Sequence, residues 1–274
     1  MIATLEGGCR VSDMHDGEPV TKGTLHIWRQ VGRATGADAI SLRVMEFAPG
    51  LSPTIRNGEA DEILYVLDNS RPGPNSDPET DHDQLHESHP AGPRGIKIFV
   101  NSCSYEITPD TGVYIRPGET YAIMSPHPLT VISAQCPDPD QHPEFAGSFN
   151  PSDLQSQNHQ RIVRLADQRA QPTADRWYRV LVDDAIGSVQ ATQFVGSIPP
   201  GRAPDHFHHY EEVLFILKGE GRMWAGATNT PIASGSCVYL PKGQVHCVEN
   251  TGAGELRLLG VFYPAGSPSV RYEV

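Results

Sequence analysis

His206-Phe-His208-His-Tyr-Glu-Glu212, followed a strand and a turn later by Pro241-Lys-Gly243-Gln-Val-His246, is the stretch that decides how this chain is read. Side chains alternate faces along extended backbone, so the even-numbered His206, His208 and Glu212 share one side. His246 arrives from a neighbouring strand. Three imidazoles and one carboxylate make a mixed nitrogen and oxygen donor set, suited to Fe, Mn, Ni, Co, Cu or Zn rather than to the oxygen shells of Ca or Mg. Around an octahedral ion these four ligands leave two positions for water, substrate or dioxygen, so the site is built for chemistry. By the same alternation His209 and Glu211 face away, His209 toward the rim and Glu211 solvated or paired.

Outward from this stretch the chain reads as short apolar runs bounded by Gly, Pro, Asn or Asp: 40–47, 62–67, 96–100, 112–115, 129–134, 178–182, 189–195, 213–217, 237–240 and 256–262. Helical periodicity is confined to one or two turns around 161–168. Four segments recur in the same order. Leu25-His-Ile-Trp-Arg-Gln-Val31 matches Arg176-Trp-Tyr-Arg-Val-Leu-Val182, and Leu42-Arg-Val-Met-Glu-Phe-Ala-Pro-Gly50 matches Ala191-Thr-Gln-Phe-Val-Gly-Ser-Ile-Pro-Pro-Gly201. Asp61-Glu-Ile-Leu-Tyr-Val-Leu67 lies over Glu211-Glu-Val-Leu-Phe-Ile-Leu217, and Val113-Tyr-Ile-Arg-Pro-Gly-Glu-Thr-Tyr121 over Val238-Tyr-Leu-Pro-Lys-Gly-Gln-Val-His246. Two copies of one all-β unit follow from this order.

The spacing extends beyond the ligands: six residues separate Glu212 from Gly219, five separate Gly235 from Pro241, and three separate His246 from Asn250. Together these resemble both signature motifs of the cupin superfamily, with one departure, four residues instead of five between Gly201 and His206. The resemblance covers about residues 25–265 and implies two tandem cupin barrels of the double-stranded β-helix or jelly-roll type. It implies His206, His208, Glu212 and His246 as ligands of one divalent transition metal ion (Fe, Mn, Ni or Zn), and glycines that shape turns. The expected domains are 1–137, a degenerate cupin with an insertion at about 69–94, then a connection at 138–175, then a metal-binding cupin at 176–274.

In the first copy, anchored on Glu62, the two histidine positions hold Arg56 and Gly58, or Ile55 and Asn57 with a shift of one, and the last position holds Tyr121. No imidazole is restored, so this barrel is expected to be metal-free. Its expected role is structural, with an anion pocket of Arg56 and Tyr121 as the functional alternative. His82, His86 and His89 fall in the charged insertion and read as solvated loop. Five scattered cysteines without CxxC spacing point to a reducing compartment, and Cys237 and Cys247 read as small buried hydrophobes.

The 274 residues carry 21 Lys+Arg against 33 Asp+Glu, a formal charge of -12, which argues against a nucleic-acid partner. With no apolar run of about 18 residues and no basic leader, a soluble cytoplasmic protein without a membrane partner is expected, either monomer or homodimer. The expected partner is a small-molecule substrate. Apolar lining candidates (Phe194, Leu214, Ile216, Val238 and Leu240) and few cations (Arg202, Arg222 and Lys242) favour a quercetinase-like dioxygenase, with Glu212 as ligand and transient base. The alternative is an isomerase, decarboxylase or lyase that uses the ion as a Lewis acid. A third class is a protein that only binds its ligand.

Overall fold

The computed structural model describes residues 2–68, 95–101, 103–147, 160–173, 175–270 and 272–273. The insertion with its three histidines lies outside these. Antiparallel sheets make up the described chain, joined by turns and short 3-10 segments. No helix among the described residues is long and apolar enough to cross a membrane.

Each half is a barrel of two facing sheets. In the first, a seven-stranded sheet centred on Asp61–Val66, Leu129–Cys136 and Ser41–Phe47 faces a six-stranded sheet that includes Lys97–Val100, Thr120–Ser125 and Ile55–Arg56. In the second, an eight-stranded sheet centred on Glu211–Lys218, Leu256–Tyr263 and Thr192–Ile198 faces one that contains Glu220–Ala225, His246–Asn250 and His206–Phe207. Register repeats the duplication residue by residue: Leu64 opposes Ser133, which opposes Arg43, as Leu214 opposes Gly260, which opposes Phe194.

The continuous apolar run of Glu211–Lys218 follows from a strand buried on both faces. Leu214 and Ile216 point into their own barrel, while Val213, Phe215 and Leu217 enter a core shared with Ile63, Tyr65, Val44 and Ile132 of the first barrel. The two larger sheets therefore pack face to face, and one apolar core joins the barrels in addition to the separate core inside each. Gly219, which ends this strand, has φ +88°, and a Cβ there would lie 2.9 Å from the Glu255 carbonyl oxygen. Only glycine fits that turn.

Sheet membership departs from the boundaries expected from the sequence. Residues 3–13, expected in the first unit, supply Ala3–Thr4 and Arg10–Asp13, and the latter pairs with Ser236–Leu240 of the second barrel. Ile162–Arg164, expected in the connection, pairs with Thr111–Ile115 of the first barrel. The helical turns expected at 161–168 are instead this strand and one 3-10 turn, Leu165–Asp167. Here strand pairing outweighs a weak local helical pattern. The strand expected at 189–195 starts later, at Thr192–Ile198.

Phe215 tests the shared core. Phe215→Ala should cost about 3–5 kcal/mol, and thermal unfolding followed by circular dichroism and calorimetry should stay a single transition. Two separated transitions would show that the barrels unfold independently.

Candidate metal centre

His206 lies on a two-residue strand that pairs directly with His246, while His208 follows in the turn toward Glu211–Lys218. One nitrogen from each of His206, His208 and His246 lies within 4.8 Å of the others, so the three rings could hold one ion. Glu212 borders this triad: its Oε2 is 3.7 Å from His208 Nε2. The Nδ1 groups of His206 and His246 lie 3.0 and 2.8 Å from the carbonyl oxygens of Pro204 and Gln244. A carbonyl only accepts, so those Nδ1 atoms carry the hydrogen and leave Nε2 as the lone-pair donor.

Burial sets the protonation of the site. It pushes His208 down to about 3, with help from the neighbouring imidazoles of His246 and His206, and His246 down to about 4. Both rings are therefore neutral at physiological pH, as coordination requires. Burial also raises Glu212 to about 8, so without a cation beside it this carboxyl keeps its proton at neutral pH. The donor set fits a borderline transition metal, with one carboxylate available at the edge.

The cavity in front of the triad has a volume of about 120 Å³. Phe194 and Leu214 line it as expected, whereas Ile216, Val238 and Leu240 sit deeper in the same core. Arg202, Arg222 and Lys242 do not line it. Arg202 stacks on Trp224 at 4.0 Å and donates to Cys247 Sγ, Arg222 donates to Asn229, and Lys242 is exposed. The cation on the cavity wall is Arg176, 14% exposed, whose Nε donates to Asp175. It stands where the first barrel has the buried Leu25 and went unread because it opens its strand beside a polar connection. His209 is exposed and packs on Tyr272, and Cys237 and Cys247 are buried.

The first barrel fills the same position with its own charges. Glu62 and Arg43 are 0% and 1% exposed, and Arg43 Nη2 lies 2.5 Å from Glu62 Oε1, an oxygen that also accepts from Tyr121 and Ser133 at 2.9 and 2.7 Å. Ile55 opposes Tyr121 as His206 opposes His246, so the shifted alignment is the structural one at that position. The anion pocket of Arg56 and Tyr121 is not formed: Arg56 is exposed, and Tyr121 holds the protein's own carboxylate. Sequence pointed to the wrong arginine because Arg43 comes from a strand remote from the motif positions.

Residues 194–262 match the family model described as a cupin domain. The second barrel thus contains a cupin domain. Over 66 residues it is 36% identical to an oxalate-binding protein of Thermotoga maritima, covering 23% of this chain and 54% of that protein. Over 70 residues it is 33% identical to auxin-binding protein 1 of Arabidopsis thaliana, covering 22% and 35%. The matches thus span about half, or less, of these relatives' lengths. A solved oxalate decarboxylase superposes with a TM-score of 0.70 at 12% identity, over 94% of this chain and 78% of that one. A mutant form of the Bacillus subtilis oxalate decarboxylase gives 0.69 at 13% over the same shares. At such identity the likeness is one of fold alone.

Two outcomes follow from the unlike barrels. His246→Ala should strip bound metal, while Arg43→Met should leave metal content unchanged and destabilise the protein by about 3–5 kcal/mol by stranding a buried carboxylate. Metal analysis and denaturant melts check both, and metal loss from Arg43→Met would show the first barrel to be a second centre. The raised Glu212 pKa gives a pH signature. Metal must displace its proton below about 8, so affinity should rise from pH 7 to 8.5, with proton release measurable by calorimetry in two buffers. Glu212→Gln should retain metal on the three imidazoles and lose that pH dependence.

Proposed function

We propose that this protein is a metal-dependent lyase that removes a carboxyl group from a small organic acid. The observation that carries this reading is Arg176 on the wall of a cavity of about 120 Å³, facing the same space as His206, His208, His246 and Glu212. Pockets for drug-sized ligands run to roughly 300–1,000 Å³, so the space suits an acid of a few heavy atoms rather than a flavonol. The dioxygenase reading drawn from an apolar lining is therefore not supported. It rested on a wall without a cation, and Arg176 supplies one.

His206, His208 and His246 would hold the ion, with Glu212 beside them. When bound, the ion supplies Lewis acidity toward a carboxylate or adjacent carbonyl oxygen. Arg176 pairs with a carboxylate through its fork of donors and fixes its orientation. Phe194, Leu214, Val248 and Leu258 form the apolar part of the wall and limit water. Loss of carbon dioxide leaves an electron pair on the departing bond's carbon, and a proton must replace it. That proton comes from solvent, and Glu212, ionised beside the ion and next to His208, is placed to take it up and pass it to that carbon. The fold likeness to oxalate decarboxylases and the local identity to an oxalate-binding protein support a small carboxylic acid as the ligand class.

The test uses Mn-loaded protein with oxalate, malonate and glyoxylate, reading carbon dioxide release and oxygen uptake together. Release without net oxygen consumption is expected, and Arg176→Gln should lower kcat/KM by about 10² or more, as loss of a charge-assisted pair with substrate would. Oxygen uptake matched to turnover would return the protein to the dioxygenase class. Saturable binding without turnover would make it a binding protein.

A further inference from the structure

The acidic pairs Asp61-Glu62 and Glu211-Glu212 divide their labour between the two faces of their strands. Glu62 and Glu212 point into the barrels. Asp61 and Glu211 point the other way, into the interface between barrels, where both are buried. Glu211 accepts hydrogen bonds from the backbone N–H groups of Asp38 at 2.8 Å, Ala39 at 2.7 Å and Ile40 at 3.2 Å, all in a loop of the first barrel. The Tyr239 hydroxyl also donates to it. The mirror arrangement holds Asp61, which accepts from Tyr114 at 2.7 Å and from Gln190, in the matching loop of the second barrel, at 3.0 Å. Gly36 and Gly187, at φ +97° and +96°, turn the two loops, and each lies against the tyrosine ring of its latch. A side chain at either would strain the turn that delivers the donors.

We propose that Glu211 is a positioning residue for the metal centre, anchoring the start of the strand that carries Glu212 to the 36–40 loop of the metal-free barrel. The proposal rests on the reading of His206, His208 and His246 as metal ligands. Glu211 opens that strand, three residues after His208, and three of its four hydrogen bonds tie its side chain to the backbone of residues 38–40. The first barrel thereby acts on the site without contributing a ligand. Its own latch at Asp61 uses the matching tyrosine but holds two side-chain hydrogen bonds where Glu211 holds four, and it ends in a barrel already closed by Arg43, so it serves as an internal control.

The experiment titrates Co²⁺ into the full-length protein and follows its visible absorption, for Glu211→Gln and Asp61→Asn in parallel, with thermal midpoints for both. Glu211→Gln sets an amide donor against backbone donors and should weaken Co²⁺ binding about tenfold, at the low end of what outer-shell changes cost. Asp61→Asn should also lower the midpoint but change affinity less than twofold. The gentler pair Tyr239→Phe and Tyr114→Phe should reproduce the same asymmetry if either carboxylate variant fails to fold. Equal affinity loss on both sides, or none from Glu211→Gln, would overturn the proposal. His246→Ala separates the two readings. If it abolishes Co²⁺ binding while Glu211→Gln leaves the affinity unchanged, the metal centre stands and the positioning role falls. If it binds Co²⁺ as before, both fall.

Discussion

A carboxylate inside an apolar barrel must be neutralised, and both halves of this protein are organised around that requirement. Glu62 and Glu212 occupy the same register on equivalent strands, each buried against apolar walls. An isolated charge there would cost several kcal/mol. In the first barrel the answer is built into the chain: the Arg43 guanidinium lies against Glu62, and Tyr121, Ser133 and Gln135 surround it with donors. In the second barrel no arginine takes that place. Burial keeps a proton on Glu212, and the three imidazoles beside it could hold a cation that would replace the proton.

The two solutions differ by a coordinated set of exchanges at matching register. Arg43 becomes Phe194, and Ser133 becomes Gly260. These two changes depend on each other, because a Cβ at Gly260 would lie 2.3 Å from the Phe194 ring. Tyr121 becomes His246, and Ile55 becomes His206. A closed polar cluster is thereby converted into an apolar wall with imidazoles at one end. A fully satisfied buried network holds one arrangement rigidly. An open donor set leaves coordination positions for ligands from outside.

Much of this was legible in the sequence because it depends on period and spacing. Alternation read across 206–212 placed His206, His208 and Glu212 on one side, although His208 falls in a turn between two strands, and the repeated segments identified two all-β units. Arg43, Arg176 and the exchange of the N-terminal strand were not legible, for a common reason. Each depends on which strands lie side by side across a barrel, and Arg43 reaches Glu62 over 19 residues of chain. Local pattern carries no information on such closure. Arg10–Asp13 alternates little and bonds to Ser236–Leu240 only because that edge of the second barrel is available to it.

Arg176 shows how small a change separates a sealed barrel from a receptive one. Its register partner Leu25 is fully buried and completes the apolar core of the first barrel, beside Phe47 and Met45. At the matching position Arg176 leaves part of its side chain at the cavity mouth and brings a permanent positive charge to the wall. An imidazole triad alone would take ligands of many kinds. With a guanidinium across a space of about 120 Å³, a ligand that satisfies both ends must be short and must carry negative charge at the end away from the histidines. In the proposed reaction, selectivity for a small acid would thus come from one residue on the opening strand of the barrel, while the chemistry would belong to the strands that face it.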